Sequence, residues 1–211
     1  MPRATLAGFG LPLIRKAPIL MPMLRMLIWP AVAAVLLCAP QLRAAPSHID
    51  DPGRLVTADT KWSSDMDSRL AAFEASTGVR ILLQFHAKSP PELEDKQPGA
   101  YMRALATKLG VIKGGVLVVF FADDPDWRVW IGDDLTPKFV GKPGDAKQFT
   151  ESGEMHTAKE AFLTGSLAKA DAAFAALQKA APPCAPPGLV RHVALQADAL
   201  IDGLFAKLGG R

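Results

Sequence analysis

The sequence predicts an α/β fold with a small mixed sheet flanked by helices, and three observations carry that expectation. Val116-Leu117-Val118-Val119-Phe120-Phe121 is an unbroken apolar run, the pattern of a strand covered on both faces. Val79-Arg80-Ile81-Leu82-Leu83-Gln84-Phe85-His86 is rich in branched and aromatic residues, as strands are. Between the two runs, Tyr101, Leu105 and Leu109 recur at helical spacing. A strand, a helix and a strand in that order make a right-handed parallel crossover, whose helix must cover one face of the sheet.

The elements follow in chain order. Ser47 to Thr57 is polar and irregular. Trp62, Met66, Leu70 and Phe73 then mark one face of a helix that Thr57 or Thr60 would cap and Gly78 would end, since a left-handed glycine commonly closes a helix. After the strand at Val79 to His86, the loop Lys88 to Gly99 contains Pro90, Pro91 and Pro98 and leads to the second helix, which closes at Gly110. Asp123-Asp124-Pro125-Asp126 is turn material, and the stretch Trp127 to Ile131 follows too closely for a crossover. It therefore folds back antiparallel and makes the sheet mixed. Trp127 and Trp130 are three positions apart, an odd spacing that points them to opposite faces of this strand.

Asp134 to Val140 reads as a short helix, and Gly141 to Met155, with Pro143, Gly144 and Gly153, as loop. The Ala-rich stretch His156 to Ala181 carries Phe162, Leu167, Ala170, Phe174 and Leu177 on one stripe of a long helix. Pro182 to Pro187 is a stiff spacer. Val190, Val193, Ala197, Leu200, Ile201, Leu204, Phe205 and Leu208 define a final amphipathic helix that docks on the core or on a partner.

Residues Met1 to Arg43 hold Arg3, Arg15, Lys16, Arg25 and Arg43 and no acidic residue, around an apolar run from Met26 to Ala39. That is the layout of a secretory signal, with small residues near Ala44 for cleavage. The run is shorter than the roughly 20 residues a membrane span needs. A chain opening at Met21, Met23 or Met26 would still carry a complete leader. The expected organisation is a leader over 1–44, a domain over 45–181, a linker over 182–188 and a terminal helix over 189–211, in a periplasmic or secreted protein. The whole chain has 24 Lys and Arg against 21 Asp and Glu, so removing the five leader cations leaves a small acidic excess. No positive field remains to attract nucleic acid. Cys38 is an apolar residue of the leader, and Cys184 alone stays in the exported part, which excludes an internal disulfide there.

A resemblance covers Ile49 to about Leu177. Ile49-Asp50-Asp51, Phe73-Glu74-Ala75-Ser76-Thr77-Gly78-Val79, Tyr101-Met102-Arg103-Ala104-Leu105 through Leu109-Gly110-Val111, Gly114-Gly115-Val116-Leu117-Val118-Val119 and Arg128-Val129-Trp130-Ile131-Gly132-Asp133-Asp134-Leu135 together resemble the TPM domain family. That family takes its name from thylakoid lumen, photosystem repair and nematode membrane members. The resemblance implies an extracytoplasmic three-layer α/β/α sandwich, here followed by the C-terminal amphipathic helix. It also implies a link to the assembly or maintenance of membrane complexes and, for some members, a metal-assisted phosphatase activity. The chain departs from the pattern in two places: Pro182 to Pro187 and a helix stand where many bacterial relatives have a membrane span and glycine-rich tail, and Leu135-Thr136-Pro137-Lys138 replaces a frequent leucine-threonine-aspartate.

Candidate chemistry rests on Asp50, Asp51, Asp123, Asp124, Asp126, Asp133 and Asp134. Ligands of open α/β sheets settle beyond the carboxyl ends of the strands, where Asp123 and Asp124 fall. A hard cation, calcium or magnesium, needs several such oxygens. Of these residues, Asp50, Asp51, Asp123, Asp124, Asp133 and Asp134 are the expected metal set. The same residue types in the same places also suit turns and helix caps.

Other chemistries find little support. The spacing matches no EF-hand loop, Ser89 lies in no Gly-x-Ser-x-Gly elbow, and Gly110, Gly114 and Gly115 with Lys113 form no phosphate-binding loop. No organic cofactor is implied. His48, His86, His156 and His192 show no local metal-ligand spacing, and His86 at a strand end reads as a hydrogen-bonded structural residue. The leading expectation is a module binding an envelope protein partner or a divalent cation, with a metal-dependent phosphatase acting on phosphate monoesters as the alternative. Membrane association would need an uncleaved leader or the last helix, and the polar face of that helix carries Asp198 and Asp202 beside Arg191 and Lys207, without the basic excess of an interfacial anchor.

Overall fold

Alternation of apolar strands with one-sided helices produces a four-stranded sheet with a helical layer on each face. The structure, a computed structural model, describes residues 47–91, 99–182 and 184–210. The expected leader, Cys38 and most of the proline-containing loop before the second helix lie outside the described residues.

The strands are β1 (Ile49–Asp50), β2 (Arg80–His86), β3 (Gly115–Phe121) and β4 (Asp126–Ile131), hydrogen-bonded in the order β1-β2-β3-β4. β1, β2 and β3 run parallel, and β4 returns antiparallel with Phe121 opposite Asp126 and Val116 opposite Ile131. Every residue of β3 is buried, as its unbroken apolar pattern requires of a strand covered on both faces. β1 departs from the expectation of an irregular Ser47 to Thr57. Its two residues carry too little pattern to read as a strand, yet they extend the sheet through Ile49 and Leu83.

One face carries α1 (Thr60–Thr77), α5 (Glu154–Ala180) and α6 (Leu189–Gly209). Met66 and Leu70 of α1, Ile81, Leu83, Val116 and Val118 of the sheet, and Val193, Leu200, Ile201 and Leu204 of α6 belong to one buried cluster. The opposite face is covered by α2 (Ala100–Lys108), whose Met102 and Ala106 pack on Leu82, Leu117, Val119 and Phe121. Trp127 falls on the first side and Trp130 on the second, as their odd spacing demands. Short α3 (Thr136–Val140) and α4 (Ala146–Glu151) follow a 3-10 turn at Asp133–Leu135.

Several details correct the sequence expectations. The N-cap of α1 is Asp59, which accepts the Trp62 amide, rather than Thr57 or Thr60. The stretch Gly141 to Met155 is not all loop, because Asp145 caps α4 by accepting the Gln148 amide and Phe149 anchors it in the core. The final helix docks in cis. Its apolar stripe is buried, and at about 1.5–3 kcal/mol for each fully buried aliphatic side chain this packing outweighs the polar clamp at its edge, where Trp62 Nε1 donates to Asp198 at 3.3 Å and Arg69 pairs with Asp198 at 3.2 Å and with Asp202. Gly203 sits under Phe162, where an added Cβ would lie 2.8 Å from the ring, so α5 and α6 cross closely at that point. The compact unit spans Pro46–Arg211, and no described helix is long and apolar enough to cross a membrane.

Candidate functional site

The direction of β4 decides where the aspartates go. β1, β2 and β3 all end at one rim of the sheet, which places Asp50, Asp51, Asp123 and Asp124 there. Because β4 runs back, Asp133 and Asp134 lie at the other rim, where their amides donate to the carbonyls of Ile112 and Lys113. Five residue steps of strand separate the rims, roughly 17 Å at about 3.4 Å per step. The six-carboxylate set therefore does not converge on one ion, and among the described residues no three His, Cys, Asp or Glu side chains are grouped to hold one.

At the near rim several of the carboxylate oxygens are already engaged. Both oxygens of Asp51 are used: Oδ1 accepts the Leu55 amide at 2.9 Å, and Oδ2 accepts the amides of Val56 and Thr57 and the Thr57 hydroxyl at 2.9 to 3.1 Å. This turn feeds the start of α1. Asp123 Oδ1 accepts the Ser89 amide at 2.8 Å, the Ser89 hydroxyl at 2.9 Å and the Asp124 amide, tying the β3 end to the loop after β2. The Ser89 hydroxyl, chiefly, holds the Asp123 carboxyl below its usual value. Asp126 pairs with Arg128 at 3.1 Å. These are turn and ion-pair roles, and the six expected ligands stand divided between two rims rather than around one shared ion.

Sequence reasoning passed over Gln84, a buried polar residue on the α2 face of β2. Its Nε2 donates to Asp50 Oδ2 at 3.3 Å and its Oε1 meets His86 Nε2 at 3.1 Å, so Asp50, Gln84 and His86 form a polar chain along the rim. A polar side chain inside an otherwise apolar strand was the available signal. His48, within the stretch expected to be polar and irregular, is buried, with Nε2 2.7 Å from Glu74 and its amide donating to Asp67. His192 stacks on Phe174 and pairs with Asp171 at 2.7 Å.

A second feature lies on the outer edge of β4, which no sequence motif marks. Gly132 donates to the Gly115 carbonyl at 2.9 Å, so by antiparallel alternation Trp130 and Arg128 also bond inward to β3. The backbone groups of Trp127, Val129 and Ile131 then point away from the sheet. Among the described residues no hydrogen bond reaches these outward groups. Beside them runs a groove of about 440 Å³, floored by residues 126–130 and walled by Met102 of α2 and by Lys159, Leu163 and Leu167 of α5. It continues past Trp130, His156 and Lys159 into a second hollow of about 790 Å³ that reaches Arg103, Asp133 and Thr150. Arg103 lies over the Trp130 ring, 5.1 Å from its centre. Burial pulls the Lys159 ammonium below its ordinary value.

No protein-family model and no curated protein matches the sequence. Among solved structures, the chain is similar to the N-terminal domain of a protein from P. gingivalis determined by solution NMR, at 16% identity over 80% of this chain and 88% of that one, with a TM-score of 0.43. So loose a likeness carries no argument about activity.

Proposed function

We propose that the protein is an exported, TPM-like binding module that holds a protein partner in support of envelope processes. The observation that carries this reading is the β4 edge: a strand with outward backbone groups lying in a groove between two helices, the geometry by which sheets accept an added chain. The aspartates support it from the other side, since Asp51 and Asp123 are committed to backbone amides. Export is supported by the leader pattern, and the TPM likeness by the order and spacing of its sequence pieces.

A photo-crosslinking residue placed at Thr164, beside the groove, should give a discrete adduct in cells expressing the whole chain, and one placed at exposed Lys61 should not. Loss of the Thr164 adduct, or identical adducts at both positions, would remove the reading.

The metal-dependent phosphatase is the second reading, and the Asp50–Gln84–His86 chain favours it. A cation at 100 times its dissociation constant would raise native stability by about 2.7 kcal/mol. The binding-module reading expects calcium and magnesium to leave the melting curve unchanged, and Asp123→Ala to turn over a chromogenic phosphate ester at the wild-type background rate. A magnesium-dependent turnover lost in that variant would install the enzyme in its place.

A further inference from the structure

We infer that the β4 groove takes an extended segment of a partner protein as a fifth strand, with an aspartate or glutamate of that segment facing Lys159; the inference rests on the partner-binding reading above. Three features of the groove define this occupant. The first is the ladder: three consecutive outward positions, Trp127, Val129 and Ile131, offer donors and acceptors at the two-residue repeat of a β-strand, and only an extended backbone matches that repeat. The second is shape. Lys159, Leu163 and Leu167 line it from one side of α5 at helical spacing, and Met102 of α2 lines it as well, so side chains of two helices border the strand along which an added chain would lie.

The third is charge. Lys159 is half-buried and, among the described residues, its amine has no hydrogen bond or ion pair. Of the groove's carboxylates, Asp126 is held by Arg128, Asp133 is exposed, and exposed Glu160 acts on Lys159 through space without forming an ion pair with it. A half-buried ammonium whose nearest carboxylate makes no ion pair is under-compensated, and the helix termini add to the demand. The N-terminal turns of α2 and α5 start at Gly99 and Gly153 with no side-chain cap, and Gly99, Ala100, Met155 and His156 border the same hollow, so the positive ends of two helices face it beside Arg103. The α5 end is partly answered by its own Glu154, and an acidic side chain on the incoming strand gives Lys159 the ion-pair partner it lacks.

The test uses isotope-labelled protein and three synthetic heptapeptides of alternating valine and threonine. One has a central glutamate, one a glutamine in its place, and one the glutamate with alternate backbone amides methylated. The glutamate peptide should shift the amide resonances of Trp127, Val129 and Ile131 saturably, the glutamine peptide should bind about tenfold more weakly, and the methylated peptide should not bind. In Lys159→Met the preference for glutamate over glutamine should vanish while the β4 shifts remain. Equal affinity of wild type for the glutamate and glutamine peptides would overturn the acidic occupant and leave the partner-binding reading standing. Absence of β4 shifts with every peptide would overturn strand addition, and the Thr164 adduct then decides the broader reading separately. Two further results would overturn the inference: inorganic phosphate moving the Lys159 and His156 resonances while no peptide does, which marks a small-anion site, and self-association of Lys159→Met without peptide binding, which marks the lysine as a guard of the edge.

Discussion

Replacing Asp51 by alanine separates a structural carboxylate from a ligand-holding one. In the native protein this side chain receives four hydrogen bonds, from the amides of Leu55, Val56 and Thr57 and from the Thr57 hydroxyl. Truncation strands the amide of Val56, whose side chain is 1% exposed, and an orphaned buried donor costs about 1–3 kcal/mol. The neighbouring amides are half-exposed and water recovers most of their loss, so the total should be about 3 kcal/mol. In a unit spanning Pro46–Arg211, each kcal/mol moves the midpoint by about 2–4 °C, which sets the expected fall at roughly 6–12 °C by differential scanning calorimetry. Asp51→Asn should fall between, because its one oxygen can serve the Oδ2 donors while its amide group meets the Leu55 donor. Asp124→Ala, at an exposed turn position, should melt with the wild type. A melting point for Asp51→Ala within about 1 °C of wild type would refute the assignment of this carboxylate to the turn.

Three further outcomes are expected. Gly132→Ala should cost about 2–3 kcal/mol in urea unfolding, because its Cβ would collide with the Lys113 carbonyl and lie 2.8 Å from the Gly115 oxygen; an unchanged midpoint would show that the turn yields freely. Asp198 has its carboxyl raised from the ordinary 3.8, first by burial and despite Trp62 and Arg69. The native state thus binds this proton more tightly than the unfolded chain, a contribution present below the ordinary value and lost as pH rises through the native one. Asp198→Asn should remove that downward step from the pH–stability curve and be no less stable at pH 7, and a loss above about 1 kcal/mol there would show the ion pair outweighing burial. Lys159, lowered from 10.5 by burial, carries a penalty fully present below its native value and relieved as pH climbs toward 10.5. Lys159→Met should therefore gain about 0.5–1 kcal/mol at pH 7 and lose the alkaline rise of the wild type, while equal or lower stability in denaturant would mean the ammonium is well solvated.

Long periodic elements were legible because burial repeats along them. Trp62, Met66, Leu70 and Phe73 recur on one face of α1 and are all buried, and the six apolar residues from Val116 are the centre of the sheet. β1, at two residues, has no period to read. α4 offers Phe149 alone, although Asp145 followed three residues later by Gln148 was a local cap signal. The dispersal of the aspartates was itself implied, since an antiparallel return after Asp126 sends Asp133 to the far rim. Gln84 stood out by its polarity, whereas the engagement of Asp51 depends on how the turn folds back on it. The β4 groove depends on which strand ends the sheet and on how α5 is placed beside it, and neither is written in any local stretch of residues.

The final helix contributes Val193, Ala197, Leu200, Ile201, Leu204 and Leu208 to the principal core, each at 1% exposure or less. A premature stop within the proline run would therefore not trim an appendage. It would release a chain with a sticky, half-built interior, recognised by quality-control proteases before it could do any work, so genetic lesions in this last stretch should behave as whole-protein losses.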